Sequence, residues 1–389
     1  MSITTPQGFE AAAVASGIKS SGALDLTLLV TDDGRDVPTA ATFTSNLAAA
    51  PPVQISRGHL AATRGRASGV VVSSGNANAA TGAQGRADAE RMCELVASGL
   101  GVGTERILVC STGLIGIPLP MQPIEAGIPA LVAARSGSPA AADAAARGIL
   151  TTDSGPKEVL IETPDFTVAG MAKGAGMLAP DMATMLAFLT TDAAVDPDPL
   201  ADLLRSGVRD SFNSMTVDGC TSTNDTVVLM ASGRAGPAEP GALLDAVTAA
   251  CVSLANQMVA DAEGASKIVH VRVGGARSDG EAHRGARKVA DSLLVKCSLN
   301  GEDPYWGRVA SDLGSAGIGF DMDRLSIAYG GVEVCRDGVA VAYDTVAVAR
   351  HLAGPMIDIE CRLGLSDGSG VVMGVDLGYG YIDENRTTS

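Results

Sequence analysis

The stretch from residue 171 to residue 193, MAKGAGMLAPDMATMLAFLTTDA, holds the residues of this chain that are best suited to chemistry. Its glycines permit unusual backbone angles, and Pro180 stiffens the approach to the bond between Ala183 and Thr184. If the chain is cut at this bond, Thr184 becomes an N-terminal residue with a hydroxyl nucleophile and its own α-amine as base. The pattern predicts a self-cleaving acyl-transfer enzyme, although a threonine that opens an apolar run is also typical of an ordinary strand.

Three other segments combine polar side chains with turns or the ends of apolar runs. Thr112 and Gly113 follow the run ILVC, and backbone N–H groups at such a turn can point towards a developing oxyanion. Residues 151–153, Thr-Thr-Asp, fit a helix cap or a turn as well as a site. Residues 261–267, DAEGASK, follow a helical pattern; their carboxylates could hold a substrate ammonium, and Gly264 would end the helix. Taken alone, each segment has an ordinary structural interpretation.

The composition argues against several functional classes. The 389 residues carry a formal net charge of −16 and only 3% aromatic residues, which does not suit a nucleic-acid partner. No segment approaches the roughly 18 uninterrupted apolar residues of a membrane span, and the first residues lack a secretion signal, so we expect a cytoplasmic protein. The seven cysteines form no CxxC motif and the four histidines have no ligand-like spacing. We therefore expect reduced thiols and no metal site.

Strand and helix patterns interleave along the chain. Two segments, 84–100 and 242–262, have apolar residues at helical spacing. Three β-branched apolar runs end in small turn residues and predict buried strands. They are residues 68–82, 106–116 and 224–233. A loop is expected at 232–241, where Gly, Pro and Ala concentrate. The pattern predicts a mixed α/β or α+β fold, and no compositional linker marks a domain boundary.

Several motifs occur together and in one order. They are GIKSSGALDL at 17–26, SSGNANAATG at 73–82, CSTGLIGIPLPM at 110–121, ILTTDSGPKEV at 149–159, MAKGAGMLAPDMATML at 171–186, DGCTSTNDT at 218–226, DAEGASK at 261–267, DPYWGR at 303–308 and the C-terminal DLGYGYIDENRTTS. This series resembles the ornithine acetyltransferase family of arginine biosynthesis, also called the glutamate N-acetyltransferases. The resemblance runs nearly end to end, and the joint occurrence of the motifs outweighs the ordinary interpretation of each.

The resemblance implies a fold and a processing event. The fold is an αββα sandwich, similar to the N-terminal-nucleophile hydrolases but with its own topology. Autocatalytic cleavage at Ala183–Thr184 would give an α chain of residues 1–183 and a β chain of residues 184–389. The two chains would stay associated, and the family usually forms an α2β2 heterotetramer.

The resemblance also implies a set of site residues. Thr184 would attack the acetyl carbonyl of N2-acetylornithine while its α-amine accepts the hydroxyl proton. Thr112 and Gly113 would form the oxyanion hole. The residues that match substrate-binding positions are Thr151, Lys173, Thr184, Glu263, Asn385 and, near the C-terminus, Ser389. Physical chemistry agrees for two of them, because Lys173 suits a substrate carboxylate and Glu263 suits the δ-ammonium of ornithine.

The implied reaction is a ping-pong acetyl transfer. N2-acetylornithine acetylates Thr184 and ornithine leaves; glutamate then takes the acetyl group and becomes N-acetylglutamate. One pocket can serve both substrates, because both carry the same α-amino acid head. The reaction needs no metal or ATP. Some family members also use acetyl-CoA as a co-substrate, and the sequence leaves open whether this chain does so.

The chain departs from the family pattern at a few positions. Tyr305 stands in DPYWGR where asparagine is usual, SLLVKCS at 292–298 lacks a proline, and Val375 replaces a common cysteine. The tail is one residue short, so Thr388 and Ser389 compete for the last pocket position. These departures motivate one alternative, a diverged acyltransferase or amidase of secondary metabolism. A second alternative is a non-catalytic binding or scaffold protein that retains the fold.

Overall fold

The computed structural model of the chain describes residues 3–178 and 185–386. Its strands are β1 (Phe9–Val14), β2 (Leu26–Thr31), β3 (Val37–Phe43), β4 (Arg66–Ala67), β5 (Gly69–Asn76), β6 (Ile107–Leu114), β7 (Lys157–Glu162), β8 (Thr167–Lys173), β9 (Leu186–Ala194), β10 (Thr226–Pro237), β11 (Ile268–Ala276), β12 (Ser326–Tyr329), β13 (Val332–Arg336), β14 (Val339–Ala340), β15 (Met356–Arg362) and β16 (Gly368–Val375). Its helices are α1 (Pro51–Ala62), α2 (Gly82–Leu100), α3 (Met121–Ala133), α4 (Pro139–Gly148), α5 (Pro197–Arg209), α6 (Pro240–Ala260), α7 (Asp279–Ala290), α8 (Leu293–Asn300), α9 (Trp306–Gly314), α10 (Thr345–Leu352) and α11 (Tyr379–Glu384).

The described strands form three sheets. Sheet I has the strand order β1-β2-β5-β6, and sheet II has the order β4-β3-β10-β9-β8-β7. Sheet III, in the C-terminal part, has the order β14-β13-β12-β15-β11-β16. Parallel neighbours occur within each sheet, at β5–β6, β9–β10 and β11–β15, beside antiparallel ones. The mixed α/β character that the sequence predicts is therefore confirmed.

Strand β9 shows how sheets I and II pack together. Leu186 and Phe188 lie in the core between the two sheets, beside residues of β5 and β6. Ala187 and Leu189 point to the opposite face of sheet II, where they pack with residues of α5 and α6. This alternation is the period of two of a strand that is buried on both faces. Phe188 and Leu189 are both fully buried, as such a central strand requires.

Helices cover the outer faces of both sheets. Met92 and Val96 of α2 pack with Leu28 and Val71 on the outer face of sheet I. Helices α5 and α6 cover the outer face of sheet II. The layer order is therefore helix, sheet, sheet, helix, and the predicted αββα sandwich is confirmed.

Helix α6 is long and apolar enough to cross a membrane by length and composition alone, and it is the one such helix among the described residues. Its buried residues include Val247, Cys251, Leu254 and Met258, which follow helical spacing and pack on sheet II. An amphipathic core helix has this pattern. Packing in the sandwich therefore accounts for its apolar composition.

Sheet III packs against its own helices. Alternate residues of β11, Val269, Val271 and Val273, lie in a core with residues of α7, α9 and α10. Strand β16 pairs with β11 and ends at Val375, from which the chain continues to α11. This arrangement carries α11 and the residues after it back towards sheet II.

Sheet II combines strands from both sides of the predicted cleavage bond. Strands β3, β4, β7 and β8 precede residue 183, and β9 and β10 follow residue 184. The predicted division into 1–183 and 184–389 therefore passes through a sheet and not between two separate folding units. The bond itself lies outside the described residues, and the division stays a prediction.

Two details differ from the sequence-based expectations. The loop predicted at 232–241 is strand up to Pro237, because beyond a bulge Gly236 and Pro237 still pair with Ala193 and Ala194 of β9. Gly264 does not end the preceding helix, since α6 ends at Ala260. Gly264 has φ +62°, and a Cβ there would lie 1.9 Å from the backbone nitrogen of Tyr381 in α11. The missing side chain thus permits a close backbone contact.

Candidate active site

One end of sheet II brings three predicted elements into a row. Lys173, the last residue of β8, is paired with Leu186, the first residue of β9. Leu186 is also paired with Thr226, the first residue of β10. The connection that carries the predicted cleavage bond therefore leaves and rejoins the sheet beside Lys173.

The end of sheet I supplies Thr112 and Gly113. Thr112 is buried, and the parallel pairing of β5 with β6 becomes irregular at this point, where Gly75 lies opposite Gly113. Gly113 has φ +131°, and a Cβ there would lie 2.3 Å from the carbonyl carbon of Gly75. Only glycine fits this backbone conformation and this contact. The strand end therefore has the irregular, tightly packed backbone expected of an oxyanion-binding turn.

Asn224 links the two sheet ends. Its amide nitrogen donates to the carbonyl oxygens of Ala77 at 2.6 Å and Ser111 at 2.9 Å, and the side chain is buried. A buried amide with two acceptors fixes the backbone that it contacts. Asn224 therefore holds the peptide just before Thr112 at a set position relative to the start of β10.

Asp153 gathers the cationic side of the site. Its carboxylate is fully buried, accepts hydrogen bonds from Lys157 Nζ at 2.7 Å and Gly174 N at 2.6 Å, and lies 3.7 Å from Lys173 Nζ. Burial by itself would raise the pKa of Asp153, but the ammonium groups of Lys173 and Lys157 and these hydrogen bonds hold it well below its usual range. Asp153 is therefore ionised and carries the charge that keeps the two lysines together.

A third lysine, Lys19, joins this cluster to the end of sheet I. Its ammonium donates to the carbonyl oxygens of Leu24 at 2.8 Å and Leu150 at 2.7 Å. Its side chain also lies against Gly75, where a Cβ would meet Lys19 Cγ at 2.9 Å. Burial lowers the pKa of Lys19, Asp25 opposes this effect, and the nearby Lys173 adds to it. Lys19 thus places the segment just before Thr151 beside the end of sheet I.

Glu263 is the acidic group of the site. Its carboxylate accepts from Thr152 Oγ1 at 2.7 Å and from Asn385 Nδ2 at 3.0 Å, and its N–H donates to Ala175 O at 3.0 Å. Gly176 makes this approach possible, because a Cβ there would lie 2.2 Å from Glu263 Oε2. Three of the predicted segments therefore meet at one carboxylate, with neutral donors around it.

Two of the sequence-based roles are refined by these contacts. The hydroxyl bound to Glu263 belongs to Thr152, whereas the predicted Thr151 donates its N–H to Asp153 Oδ2 at 3.2 Å. The nearby Asp261 is occupied by Lys157 Nζ at 2.5 Å and by Ser154. Of the two acidic residues in DAEGASK, Glu263 is therefore the one whose contacts among the described residues are with neutral groups.

Three predicted site positions lie outside the described residues, namely Ala183, Thr184 and Ser389, and Thr388 does too. The residue that follows the predicted nucleophile, Met185, is described. Its N–H donates to Asp225 Oδ1 at 2.7 Å, and its carbonyl accepts from Thr226 N at 3.2 Å. The described site thus reaches to within one peptide bond of Thr184.

The largest cleft found among the described residues lies elsewhere. It has a volume of about 1270 Å³ and lies between α7, the segment 209–221 and strands of sheet III, and its lining residues include none of the predicted site positions. Three of its arginines are engaged. Arg209 pairs with Asp210, Arg272 pairs with Asp358, and Arg287 donates to the carbonyl oxygens of Asn213 and Met215. These contacts stabilise the cleft walls, so we place the candidate site at the converging sheet ends.

Tyr305, the departure that motivates a different substrate, lies at the start of α9. It is 56% exposed, and its ring stacks with the guanidinium of Arg308 at 5.6 Å. Its ring also lies near Gly307. The contacts found for Tyr305 in the described part of the chain are thus with its own helix, and they do not involve the predicted site residues.

Sequence reasoning did not assign a role to several residues of this site. They are Lys19, Asp153, Asn224 and Asp225. Each stands inside a motif that the sequence analysis singled out, respectively GIKSSGALDL, ILTTDSGPKEV and, for the last two, DGCTSTNDT. That position was the one available signal, because their partners are distant in the chain.

Comparison with known proteins gives matches along the whole chain. A family model described as ArgJ family matches residues 10–387. The arginine biosynthesis bifunctional protein ArgJ of Mycolicibacterium paratuberculosis is 45% identical, and the alignment covers 100% of this chain and 96% of that protein. The protein of the same name from Thermosynechococcus vestitus is 41% identical, with 98% and 96% covered.

Among solved structures, the ornithine acetyltransferase of Mycobacterium tuberculosis, crystallised with ornithine, is 44% identical to this chain. The match covers 46% of this chain and 94% of that chain, with a TM-score of 0.44.

Proposed function

We propose that this chain, which belongs to the ArgJ family, transfers the acetyl group of N2-acetylornithine to glutamate through an acetyl ester on Thr184. The curated relatives named above are bifunctional proteins of arginine biosynthesis. The products would be ornithine and N-acetylglutamate. The proposal includes cleavage at Ala183–Thr184, which gives Thr184 the free α-amine that it needs as a base.

One observation carries this proposal. Residues predicted from five separate motifs converge on the ends of sheets I and II. Glu263 receives hydrogen bonds from Thr152 and Asn385, and Lys173 lies beside Asp153 at the end of β8. Such convergence is expected of a binding site and has no evident reason in a protein that keeps only the fold.

The charges of the cluster suit the two substrates. At 3.7 Å from Asp153, Lys173 forms an ion pair but not a hydrogen bond, so its N–H donors can bind a substrate carboxylate. Glu263 contacts neutral donors in the described structure, so its charge can pair with the δ-ammonium of the ornithine moiety. The α-carboxylate shared by N2-acetylornithine and glutamate would bind at Lys173 in both half-reactions.

The chemistry then follows from the positions of the backbone. The hydroxyl of Thr184 would attack the acetyl carbonyl, and the N–H groups at Thr112 and Gly113 would stabilise the negative charge on its oxygen. The α-amine of Thr184 would take the hydroxyl proton and pass it to the departing amine. Glutamate would attack the resulting ester through its own amine, which restores Thr184.

Several finer points belong to the same proposal. The chains 1–183 and 184–389 would remain together and form an α2β2 heterotetramer in the cytoplasm. No resident cofactor or metal is required for acyl transfer between two amines. Acetyl-CoA as a second acetyl donor would fit the word bifunctional in the names of the relatives.

Intact mass spectrometry of the purified protein and of the variant Thr184→Ala tests the cleavage. We expect two fragments divided at Ala183–Thr184 in the wild type and a single chain in the variant, because the variant lacks the hydroxyl. The control is Thr190→Ala, which removes another hydroxyl of β9 that donates to Ile3 O at 2.7 Å. This control should still be cleaved. A Thr184→Ala variant that matures into two chains contradicts the proposed nucleophile.

A transfer assay tests the substrates. The wild type should release ornithine from N2-acetylornithine when glutamate is present and should form N-acetylglutamate in equal amount. A cleaved enzyme that is silent with this pair would favour the diverged acyltransferase or amidase. An uncleaved chain that forms no acyl-enzyme would favour the scaffold alternative.

A further inference from the structure

One loop contacts the chain on both sides of the predicted cleavage bond. We call the residues from Val217 to Thr226 the 217–226 loop. On the upstream side, Asp218 accepts the N–H groups of Met177 at 2.6 Å and Leu178 at 3.0 Å. The N–H of Val217 donates to the carbonyl of Leu178 at 2.5 Å. Leu178 is therefore held through both its N–H and its carbonyl.

The other end of the same loop holds the downstream side in the same way. Asp225 accepts the N–H of Met185 at 2.7 Å, and the N–H of Thr226 donates to the carbonyl of Met185 at 3.2 Å. Met185 is thus also held through both of its backbone groups. Each end of the intervening stretch is fixed by one aspartate and one backbone N–H of a single loop.

We propose that the 217–226 loop is a backbone clamp for self-cleavage, in which Asp218 positions the upstream end and Asp225 the downstream end. This inference rests on the proposed function, since it concerns the cleavage and the nucleophile named there. Asp218 and Asp225 are positioning residues, because they act through the backbone of Met177, Leu178 and Met185. Neither is assigned a bond-breaking role.

The loop is itself held firmly, as a clamp must be. Lys296, a buried lysine, donates to the carbonyl oxygens of Val217 and Val375. At the other end, Asn224 donates to the carbonyl oxygens of Ala77 and Ser111. The same loop that holds Met185 therefore also holds the strand end with the predicted oxyanion hole. This arrangement sets the distance between nucleophile and oxyanion groups.

The backbone at the upstream end has an uncommon conformation. Met177 has φ +49°, in the left-handed region that side-chain-bearing residues seldom occupy. The hydrogen bond from its N–H to Asp218 helps to maintain this conformation. Local strain of this kind persists only where surrounding contacts enforce it.

The downstream carboxyl is suited to a constant role. Asp225 is fully buried, and its Oδ2 has no hydrogen-bond partner among the residues that the structure describes. Burial raises the pKa of Asp225 well above its ordinary value, while the Met185 N–H and Lys173 oppose this effect. A neutral carboxyl still accepts the Met185 N–H, so the clamp would keep its grip across the physiological pH range.

The two anchors should differ in their effects. After cleavage, Met177 and Leu178 would belong to chain 1–183, while the loop and Met185 would belong to chain 184–389. The contacts of Asp218 therefore matter for maturation, when the upstream end must be in place. Those of Asp225 matter for maturation and also for acetyl transfer, because Met185 remains bonded to Thr184.

The test measures cleavage and transfer separately in the full chain. Protein made by cell-free synthesis is followed by intact mass spectrometry, and kcat is normalised to the fraction of mature chains. We expect Asp218→Ala to slow maturation by about 10- to 100-fold, with an unchanged kcat per mature chain. Asp225→Ala should lower both quantities by a similar factor. Asp225→Asn should restore both, because its amide oxygen can accept the same N–H.

The matched control is Asp192→Ala. Asp192 is a buried aspartate at the far end of the same strand β9, and it also accepts two backbone N–H groups, from Gln7 at 3.2 Å and Thr167 at 2.7 Å. It should mature and turn over like the wild type, whatever its thermal stability. If Asp225→Ala yields no soluble protein, the comparison of Asp218→Ala with Asp218→Asn decides the matter.

The outcomes separate this inference from the function on which it rests. A wild type that matures, beside Asp218→Ala and Asp225→Ala variants that mature at the rate of the control, overturns the clamp and leaves the proposed function intact. A wild type that stays a single chain contradicts the cleavage itself and the clamp with it. Equal loss of kcat per mature chain in both alanine variants would also overturn the proposed division of roles.

Discussion

At the residue scale, Glu263 is the group that should distinguish the donor substrate. Its carboxylate is held by Thr152 and Asn385, which orient it but leave its charge uncompensated among the described residues. We expect Glu263→Gln to raise the KM for N2-acetylornithine by about 10- to 100-fold, since a hydrogen bond between charged groups is lost. Steady-state kinetics with varied donor at saturating glutamate would measure this.

The control for that prediction is Glu239→Gln at the opposite end of α6. Glu239 caps the helix by accepting the N–H of Ala242, and glutamine keeps an oxygen that can do the same. Its kinetics should match the wild type. An unchanged donor KM in Glu263→Gln would remove Glu263 from the substrate pocket.

Asp153 determines how the site responds to acid. Its folded-state pKa is lowered, so its ionised form contributes stability that is present above the unfolded-state pKa of about 3.8 and is lost as the pH falls below it. We expect the thermal midpoint of the wild type to fall steeply below about pH 4, and that of Asp153→Asn to fall less steeply. The variant should be less stable at pH 7, because Lys157 and Lys173 lose their common counter-charge.

Thermal unfolding at about pH 7 and about pH 3.5 would compare the two proteins in the range where the carboxylate is protonated. Asp143→Asn serves as the control, since Asp143 forms an exposed pair with Arg147 and such pairs contribute little. It should follow the wild-type curve at both pH values. Parallel curves for wild type and Asp153→Asn would show that this carboxylate does not carry the acid sensitivity.

At the scale of elements, the strand ends determine the geometry of the site, and Gly113 is the clearest case. In Gly113→Ala, the new Cβ would lie 2.3 Å from the carbonyl carbon of Gly75 and 2.5 Å from the nitrogen of Asn76, so the ends of β5 and β6 must separate. We expect lower stability and a large loss of kcat, because the predicted oxyanion groups move. Urea unfolding and transfer kinetics would measure the two effects.

Gly116→Ala isolates the cause of that loss. Gly116 also has a positive φ, +83°, but a Cβ there would meet nothing within 4 Å. It should therefore show only the backbone cost of about 1–2 kcal/mol and retain its kcat. If both variants lose activity equally, the close contact between the strand ends is not what matters.

The elements also show how far sequence reasoning reaches. The β-branched runs correctly predicted β5 and β6, because both strands are buried on both faces and their composition is local information. Strand β10 was predicted to be too short, since Gly236 and Pro237 are typical turn residues and only their pairing with β9 makes them strand. The resemblance to a family supplied Lys173 and Glu263, whereas the roles of Asp218 and Asp225 depend on partners about forty residues away.

At the scale of the whole molecule, the site exists only when distant parts of the chain are assembled. Sheet I contributes Thr112 and Gly113, sheet II contributes Lys173, and the segment after α6 contributes Glu263. Asn385, beyond sheet III, reaches Glu263 from the C-terminal end. The site therefore draws on both sides of the predicted cleavage bond, and activity requires that both chains stay in place.

The shared sheet explains why they should. Strand β9 follows the predicted bond, yet it pairs with β8 along six residues of the preceding part. Leu186 and Phe188 are also buried against sheet I, where each fully buried side chain contributes about 1.5–3 kcal/mol. We expect the cleaved chains to elute as one particle on size exclusion and to unfold in one transition. For the α2β2 form, the mass would be twice the 39.1 kDa of the chain.

The uncleaved Thr184→Ala variant is the natural comparison for this prediction, because it has the same sheets joined by an intact peptide. It should elute at the same volume as the cleaved wild type, since the pairing of β8 with β9 does not depend on the connection between them. Denaturant should separate the two chains of the wild type and leave the variant whole. Chains 1–183 and 184–389 that elute apart in native buffer would contradict the view that one continuous sheet holds them together.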